Sequence, residues 1–248
     1  MAARLALACL MLVAMIGWQP AGAQLLVADH APHLIKITTD FTGTEVLMFG
    51  AIEQDGDVVV VITGPETRVT VRRKQRTAGL WVNRHQMTFP KAPIFYAVAA
   101  SRPIEEIAPA NVLERHQIGV RNLRLQPEEA DAPVAEIGLF RAALVRNKQR
   151  AGLYSTEVGR VTFLGNRLFR TSIALPANIP IGTYTVNAYY VRNERVAGAQ
   201  ATPLSISKIG VGADVYEFAH NQTAWYGLIA IAIAAAAGWS AAAAFRKR

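Results

Sequence analysis

The sequence predicts a mainly β protein: an exported immunoglobulin-like β-sandwich, or two of them, with a helical insertion and one C-terminal transmembrane helix. Short strand-like runs are separated by Gly, Pro and Asn turns, a stretch of helical periodicity divides them into two groups, and an uncharged segment lies near the C-terminus. We assign residues 1–23 to a cleaved signal peptide, 24–100 to a first β-rich region, 101–152 to the helical insertion, 153–210 to a second β-rich region, 211–223 to a juxtamembrane segment, 224–245 to the transmembrane helix and 246–248 to a cytoplasmic tail.

The N-terminus has the pattern of a secretory signal. Arg4 precedes an apolar run over residues 5–17, and the small residues 21–23 come just before Gln24, where cleavage is expected. The alternative is a retained first membrane helix, although the apolar run is short for spanning a bilayer. Cleavage would remove Cys9, the sole cysteine, so we expect no disulfides, thiol catalysis or cysteine-ligated metals in the mature chain.

Both β-rich regions contain β-branched or alternating runs that stop at turn residues. Strands are predicted at residues 34–39, 45–52, 58–63, 68–72 and 94–99 in the first region, and at 160–164, 168–175, 183–191 and 195–207 in the second. The spacing of these strands is typical of a sandwich.

The insertion between the two regions has helical signals. We expect a helix start over residues 101–106 with Ser101 near the cap, and a further turn or two over 109–115. A longer helix is predicted over 134–150, because Ile137, Phe140 and Leu144 recur at helical spacing.

The segment 224–245 carries no charge and would span roughly 30 Å as a helix, the thickness of a bilayer's hydrocarbon core. The basic residues 246–248 favour a cytoplasmic C-terminus, and Trp225 and Tyr226 suit the outer interface. The expected location is therefore a bacterial inner membrane, with the bulk of the chain in the periplasm and the lipid bilayer as one partner.

Small residues recur every four positions along this helix, at Ala230, Ala234, Gly238 and Ala242. Such a stripe lets a second membrane helix approach closely. The alternative is that an alanine-rich helix produces the pattern by chance.

The formal net charge is +8, and only +4 remains on the exported part once Arg4 and the three terminal basic residues are set aside. Without a long basic run, and with export expected, the sequence does not favour nucleic-acid binding.

Two basic clusters are the candidate binding sites, and each is followed by an aromatic residue. The candidate anion-binding residues are Arg72, Arg73, Lys74, Arg76, Trp81, Arg146, Lys148 and Arg150. Arginine forks suit oxyanions, and the aromatic ring could form a wall of the site. The alternatives are a solvated strand edge and a basic helix C-terminus. The clusters also resemble each other at an offset of 74 residues, which indicates either an ancient duplication or a coincidence.

The sequence gives little support for a metal site or catalysis, and no cofactor is expected. His30 and His33 lie near Asp29, but we place them on a loop entering a strand and find no third ligand at a suitable spacing. The motifs G-x-S-x-G and H-E-x-x-H and a Gly-rich phosphate loop are missing from the sequence. A non-enzymatic role is therefore expected.

Several longer phrases carry a family resemblance. They lie at residues 26–29, 33–35, 41–50, 71–74, 79–83, 95–99, 164–170, 176–184 and 217–220. These phrases resemble Alph_Pro_TM, a family of alphaproteobacterial membrane proteins. The resemblance implies the architecture of a membrane protein of this family and a location in the bacterial inner membrane, but it implies no activity. Members of the family are often encoded near sulfite-exporter-like permeases, which is a hint from gene context and not a mechanism. The expected function is a non-catalytic periplasmic accessory or scaffold protein for an inner-membrane partner such as a permease, and the alternative is a periplasmic oxyanion-binding module.

Overall fold

The computed structural model describes residues 25–38, 40–77, 79–129, 131–208, 219–220 and 222–245. The predicted signal peptide with Cys9, the tail predicted to be cytoplasmic and most of the predicted juxtamembrane segment lie outside the described residues. The boundaries assigned to those three segments stay predictions.

Within the described residues, strands dominate the chain up to residue 208. They are β1 (Leu26–Ala31), β2 (Leu34–Ile37), β3 (Gly43–Ile52), β4 (Asp57–Thr63), β5 (Glu66–Thr77), β6 (Leu80–Pro93), β7 (Tyr96–Ala100), β8 (Gly159–Arg160), β9 (Thr162–Leu164), β10 (Leu168–Pro176), β11 (Gly182–Arg192) and β12 (Arg195–Lys208). The helices are α1 (Ile104–Ile107), α2 (Ala110–Arg115), α3 (Val134–Arg150) and α4 (Thr223–Phe245), with a 3-10 turn at Val120–Asn122. The mainly β fold class is therefore confirmed.

The strands form a β-sandwich and a separate hairpin. One sheet has the order β1-β3-β10-β9, the other has the order β2-β12-β11-β4-β7-β8, and β5 pairs only with β6. Both predicted strand groups contribute to both sheets, so they build one sandwich rather than two. The orders β1-β3-β10-β9 and β4-β11-β12 match the A-B-E-D and C-F-G arrangements of immunoglobulin domains.

The sandwich core is apolar and lies between the two sheets. Val46 and Met48 of β3 share a buried cluster with Val60 of β4 and Phe169 of β10. Alternate residues of β10 are buried, as expected for a strand with one face on a core.

A tyrosine corner fixes the start of β11. The buried Tyr184 donates its hydroxyl hydrogen to the Pro180 carbonyl oxygen at 2.6 Å. Immunoglobulin-type sandwiches place such a tyrosine near the start of the strand equivalent to β11. This hydrogen bond supports the assignment of the fold independently of the strand order.

A second core covers the outer face of the six-stranded sheet. Val59 and Val61 of β4 point into this cluster, which is completed by residues of all three helices of the insertion. Because β4 is covered on both faces, its apolar run does not alternate with polar residues. Tyr96 connects the layers, since its hydroxyl donates to the Gln117 carbonyl at 2.8 Å and accepts from the Gly119 N–H at 2.7 Å.

The hairpin of β5 and β6, which we call the arm, packs one face against α3. Val71, Met87 and Phe89 of the arm belong to the same buried cluster as Phe140 and Leu144 of α3. The arm therefore has a covered apolar face near its base.

The insertion contains the predicted helices, and α3 has the predicted bounds. The cap expected at Ser101 is wrong: α1 begins at Ile104 after Pro103 and has no side-chain cap. The Ser101 hydroxyl instead donates to Asp57 Oδ1 at 2.9 Å and accepts from the Val58 N–H at 3.3 Å. Ser101 is thus used to hold the first residues of β4.

Helix α4 is long and apolar enough to cross a membrane, with a candidate span over Thr223–Ala242 and a mean hydropathy of 1.5. Its side chains in that span are not buried by the rest of the described protein. A helix with this composition on all sides is suited to lipid rather than water.

Candidate functional site

The first basic cluster lies on the outer half of the arm. Arg72, Arg73, Lys74 and Arg76 are exposed residues of β5. Trp81 of β6 lies opposite Arg76 in the register, and its side chain is 68% exposed. The register shifts between Arg73 and Lys74, a β-bulge that changes which side chains share a face.

The second cluster lies on α3. Arg146 and Arg150 are exposed, whereas Lys148 is half-buried. The two predicted clusters therefore belong to different types of secondary structure, strand and helix, although their sequences are similar. Nothing in this comparison favours the duplication over the coincidence.

A groove between the arm and α3 brings parts of both clusters together. It has a volume of about 420 Å³ and is lined by Arg72, Arg73 and Lys74 from β5 and by Arg146 from α3. The apolar lining consists of Val71, Leu139, Phe140 and Ala143. Four cationic side chains at one groove are chemically suited to binding an anion.

The arm has an unusually one-sided charge. No acidic residue occurs between Glu66 and Glu105 in the sequence. Its described ion pair joins Arg68 to Glu128 at 2.7 Å, and His85 Nδ1 lies 3.9 Å from a Glu136 carboxylate oxygen. In the part of the chain that the structure describes, no ion pair within 4.0 Å neutralises the four basic residues of the groove. The groove therefore has an uncompensated positive charge.

The remaining predicted residues lie outside the groove. The Lys148 ammonium donates to the Ile94 carbonyl oxygen at 3.3 Å and lies 6.0 Å from the centre of the Tyr154 ring. Burial lowers the pKa of Lys148, and these contacts give it a structural role at the base of the arm. Arg76 and Trp81 lie nearer the end of the arm, and Arg150 ends α3.

Sequence reasoning missed Arg84, an exposed residue of β6 that is the extra residue of the bulge. Arg84 lies across the arm from the first cluster, between the partners of Arg73 and Lys74. The signal in the sequence was the lack of acidic residues from Thr67 to the end of the arm at Pro93, rather than the density of one basic run.

Sequence reasoning also missed a second cavity of about 370 Å³ next to the base of the arm. Its lining includes His116, Gln117 and Tyr189, and the His116 and Tyr189 rings meet edge to face with centroids 5.3 Å apart. Burial lowers the pKa of His116, with a smaller contribution from Arg115, and burial raises the pKa of Tyr189. Burial therefore favours the neutral form of both side chains.

We predicted that His30 lies on a loop, and this is wrong. His30 belongs to β1, where it is one of the alternate residues that face the core, and it is 1% exposed. Its ring nitrogens have no hydrogen-bond partner of acceptable geometry, although the Pro32 and Pro203 carbonyls lie close. Burial, followed by the nearby His33, lowers the pKa of His30. Among the described residues, no group of three or more His, Cys, Asp and Glu side chains is placed to hold a metal ion.

The predicted helix-packing residues Ala230, Ala234, Gly238 and Ala242 all lie on α4 with exposed side-chain positions. The described part of the chain places nothing within 4 Å of a Cβ added at Gly238. The stripe is therefore accessible to lipid or to another helix.

Comparisons with known proteins address the whole chain rather than this site. Comparison with curated proteins and with solved structures gave no match. The family model described as "Putative transmembrane protein (Alph_Pro_TM)" matches residues 25–247, which include the sandwich, the arm and α4. The chain is therefore a membrane-anchored protein that belongs to the Alph_Pro_TM family.

Proposed function

We propose that the chain is a non-catalytic accessory or scaffold protein that binds an inner-membrane partner, with its sandwich in the periplasm and its C-terminus in the cytoplasm. The observation that carries this proposal is the exposed small-residue stripe on α4. A sulfite-exporter-like permease is the kind of partner that the family resemblance suggests.

The geometry of the stripe supports a helical partner. Residues spaced by four drift by about 40° per step around a helix, so the stripe from Ala230 to Ala242 follows one continuous, slowly turning face. Small side chains on such a face permit close backbone approach, and van der Waals packing then drives association in lipid. The sandwich would be held beside this partner by the short connection after β12.

We expect Gly238→Leu to abolish co-purification of the partner after crosslinking in the native membrane. A leucine side chain would fill the face that the partner approaches, yet it meets nothing within this chain. The measurement is the yield of crosslinked partner, identified by mass spectrometry, relative to the tagged full-length protein.

The matched control is Ala236→Leu, which adds a similar side chain about 160° around the helix from Gly238. This variant should retain the partner. Equal recovery with both variants would contradict a role for the stripe.

A second candidate function is the binding of a small oxyanion in the groove. It is favoured by one specific observation, the convergence of Arg72, Arg73 and Lys74 with Arg146 from the other cluster. Guanidinium groups at a half-enclosed surface bind oxyanions through charge-assisted hydrogen bonds. The sandwich would then present the anion to a transporter.

This second function predicts heat on titrating full-length protein in detergent with sulfite, sulfate or thiosulfate. Arg73→Glu with Arg146→Glu should remove the heat, because repulsion replaces attraction on both walls of the groove. The double variant Arg167→Glu and Arg170→Glu, which makes the same change in net charge at another site, should leave it unchanged. Absence of heat with all three anions in the unmodified protein would sink the second function.

A further inference from the structure

The outer end of the arm combines exposed apolar and basic side chains. We call Lys74–Arg76 and Trp81–Arg84 the arm tip. Trp81 is 68% exposed and lies directly opposite Arg76 in the register, and Val82 is 41% exposed and lies opposite Gln75, between Lys74 and Arg76. Arg84 follows two residues after Val82 on the same strand. Basic residues alone would be explained by the need to prevent other strands from pairing with the open edges of the arm. An exposed tryptophan among them indicates instead a surface that binds another molecule.

An exposed tryptophan next to basic residues is chemically suited to the surface of an anionic lipid bilayer. Tryptophan favours the interface between lipid headgroups and hydrocarbon, where its ring is buried and its N–H stays hydrated. Lys and Arg close to it are attracted to anionic headgroups. An acidic protein would also attract the charges, but it provides no general reason for Trp81 and Val82 to be exposed together at the end of a hairpin.

The base of the arm lies at the same end of the sandwich as the end of β12, the last strand before α4. In the register, Thr63 at the end of β4 lies opposite Thr185 of β11, which lies opposite Pro203 of β12. Strands β4 and β12 are both antiparallel to β11, so they end on the same side of the sheet. The arm begins just after β4, at Glu66, and β12 ends at Lys208.

The connection to the membrane is also short. Only residues 209–222 separate β12 from α4, and a chain of that length reaches at most about 50 Å when fully extended. A tethered group at this distance has a high effective concentration at the bilayer surface, so even weak contacts are populated.

We propose that the arm tip binds the anionic surface of the bilayer that holds α4, with Trp81 and Val82 at the headgroup level and Lys74, Arg76 and Arg84 against the headgroups. The proposal concerns lipid and does not depend on a protein partner of α4. Lys74 is shared between the arm tip and the groove, but Arg76, Trp81 and Arg84 do not line the groove, so variants at Arg76 and Arg84 test the arm tip separately.

The test follows the depth of Trp81 in full-length protein. Trp18, Trp225 and Trp239 are each replaced by phenylalanine, which leaves Trp81 as the only tryptophan. The protein is reconstituted into vesicles of acyl-brominated phosphatidylcholine, either alone or with roughly one third phosphatidylglycerol. Bromine quenches only a tryptophan that reaches the acyl boundary. We expect about twofold quenching and a blue shift of the emission in the anionic vesicles, and much less of both in the zwitterionic ones.

Two matched charge reversals complete the test. Arg76→Glu with Arg84→Glu should abolish the quenching, whereas Arg167→Glu with Arg170→Glu, near the turn between β9 and β10, should retain it. Unquenched Trp81 in both vesicles, as for a tip that serves an acidic protein, would overturn the proposal, and so would equal quenching in both. The lipid comparison uses no charge variant, so the result stands even if a reversal impairs folding.

Discussion

Gly50→Ala should destabilise the sandwich by about 3 kcal/mol. Gly50 lies in β3 between β1 and β10, opposite Ala28 and Phe169. An added Cβ would overlap the Val27 carbonyl oxygen and lie 2.6 Å from Cζ of the buried Phe169 ring. Either the ring or the strand must move, and close-packed interiors resist both movements. The measurement is thermal unfolding of full-length protein in detergent, followed by circular dichroism.

The control for losing a glycine is Gly138→Ala. Gly138 lies in α3, where an added Cβ meets nothing within 4 Å. Alanine there should stabilise the protein by about 0.5–1 kcal/mol, because glycine loses more backbone freedom in a helix. If Gly50→Ala unfolds at the same temperature as the unmodified protein, the close approach of β1, β3 and β10 is wrong.

The features that local patterns encode were predictable. The β-branched run of β4 and the turn before β10 predicted strands close to the observed bounds, and the apolar spacing of Ile137, Phe140 and Leu144 predicted α3. In β10 and α3, burial follows the period of the element, whereas β4 is recognised by its continuous β-branched run. Most strands of the sandwich and the helices of the insertion could therefore be predicted from the sequence.

Strands β1 and β6 were not predicted, because their sequences lack the usual signals. β1 has Asp29 and His30 in a short run, and its burial depends on pairing with β3. β6 is rich in polar residues because the outer half of the arm is solvated, and its pairing is interrupted by a bulge. Tertiary context decides such strands more than their intrinsic propensity does.

The candidate site was predictable in its residues but not in its geometry. Both basic clusters were identified from the sequence, yet the convergence of Arg73 with Arg146 requires α3 to pack on the arm. That contact joins residues far apart in the chain and leaves no mark in either local sequence. The position of Lys148, which turns toward the Ile94 carbonyl, depends on the same packing.

The topology of the chain is the claim on which the proposed function depends. Single cysteines in a Cys9→Ser background can test it, because Cys9 is the sole native cysteine. One cysteine replaces the exposed Asn166 in the turn between β9 and β10, and another is added after Arg248. Labelling of spheroplasts with a membrane-impermeant maleimide then reports which side of the membrane each position occupies.

We expect nearly complete labelling of Asn166→Cys in intact spheroplasts, and labelling of the cysteine after Arg248 only once the membrane is permeabilised. This outcome places the sandwich in the periplasm and the tail in the cytoplasm. Protection of Asn166→Cys together with labelling of the C-terminal cysteine would reverse the orientation and contradict the account.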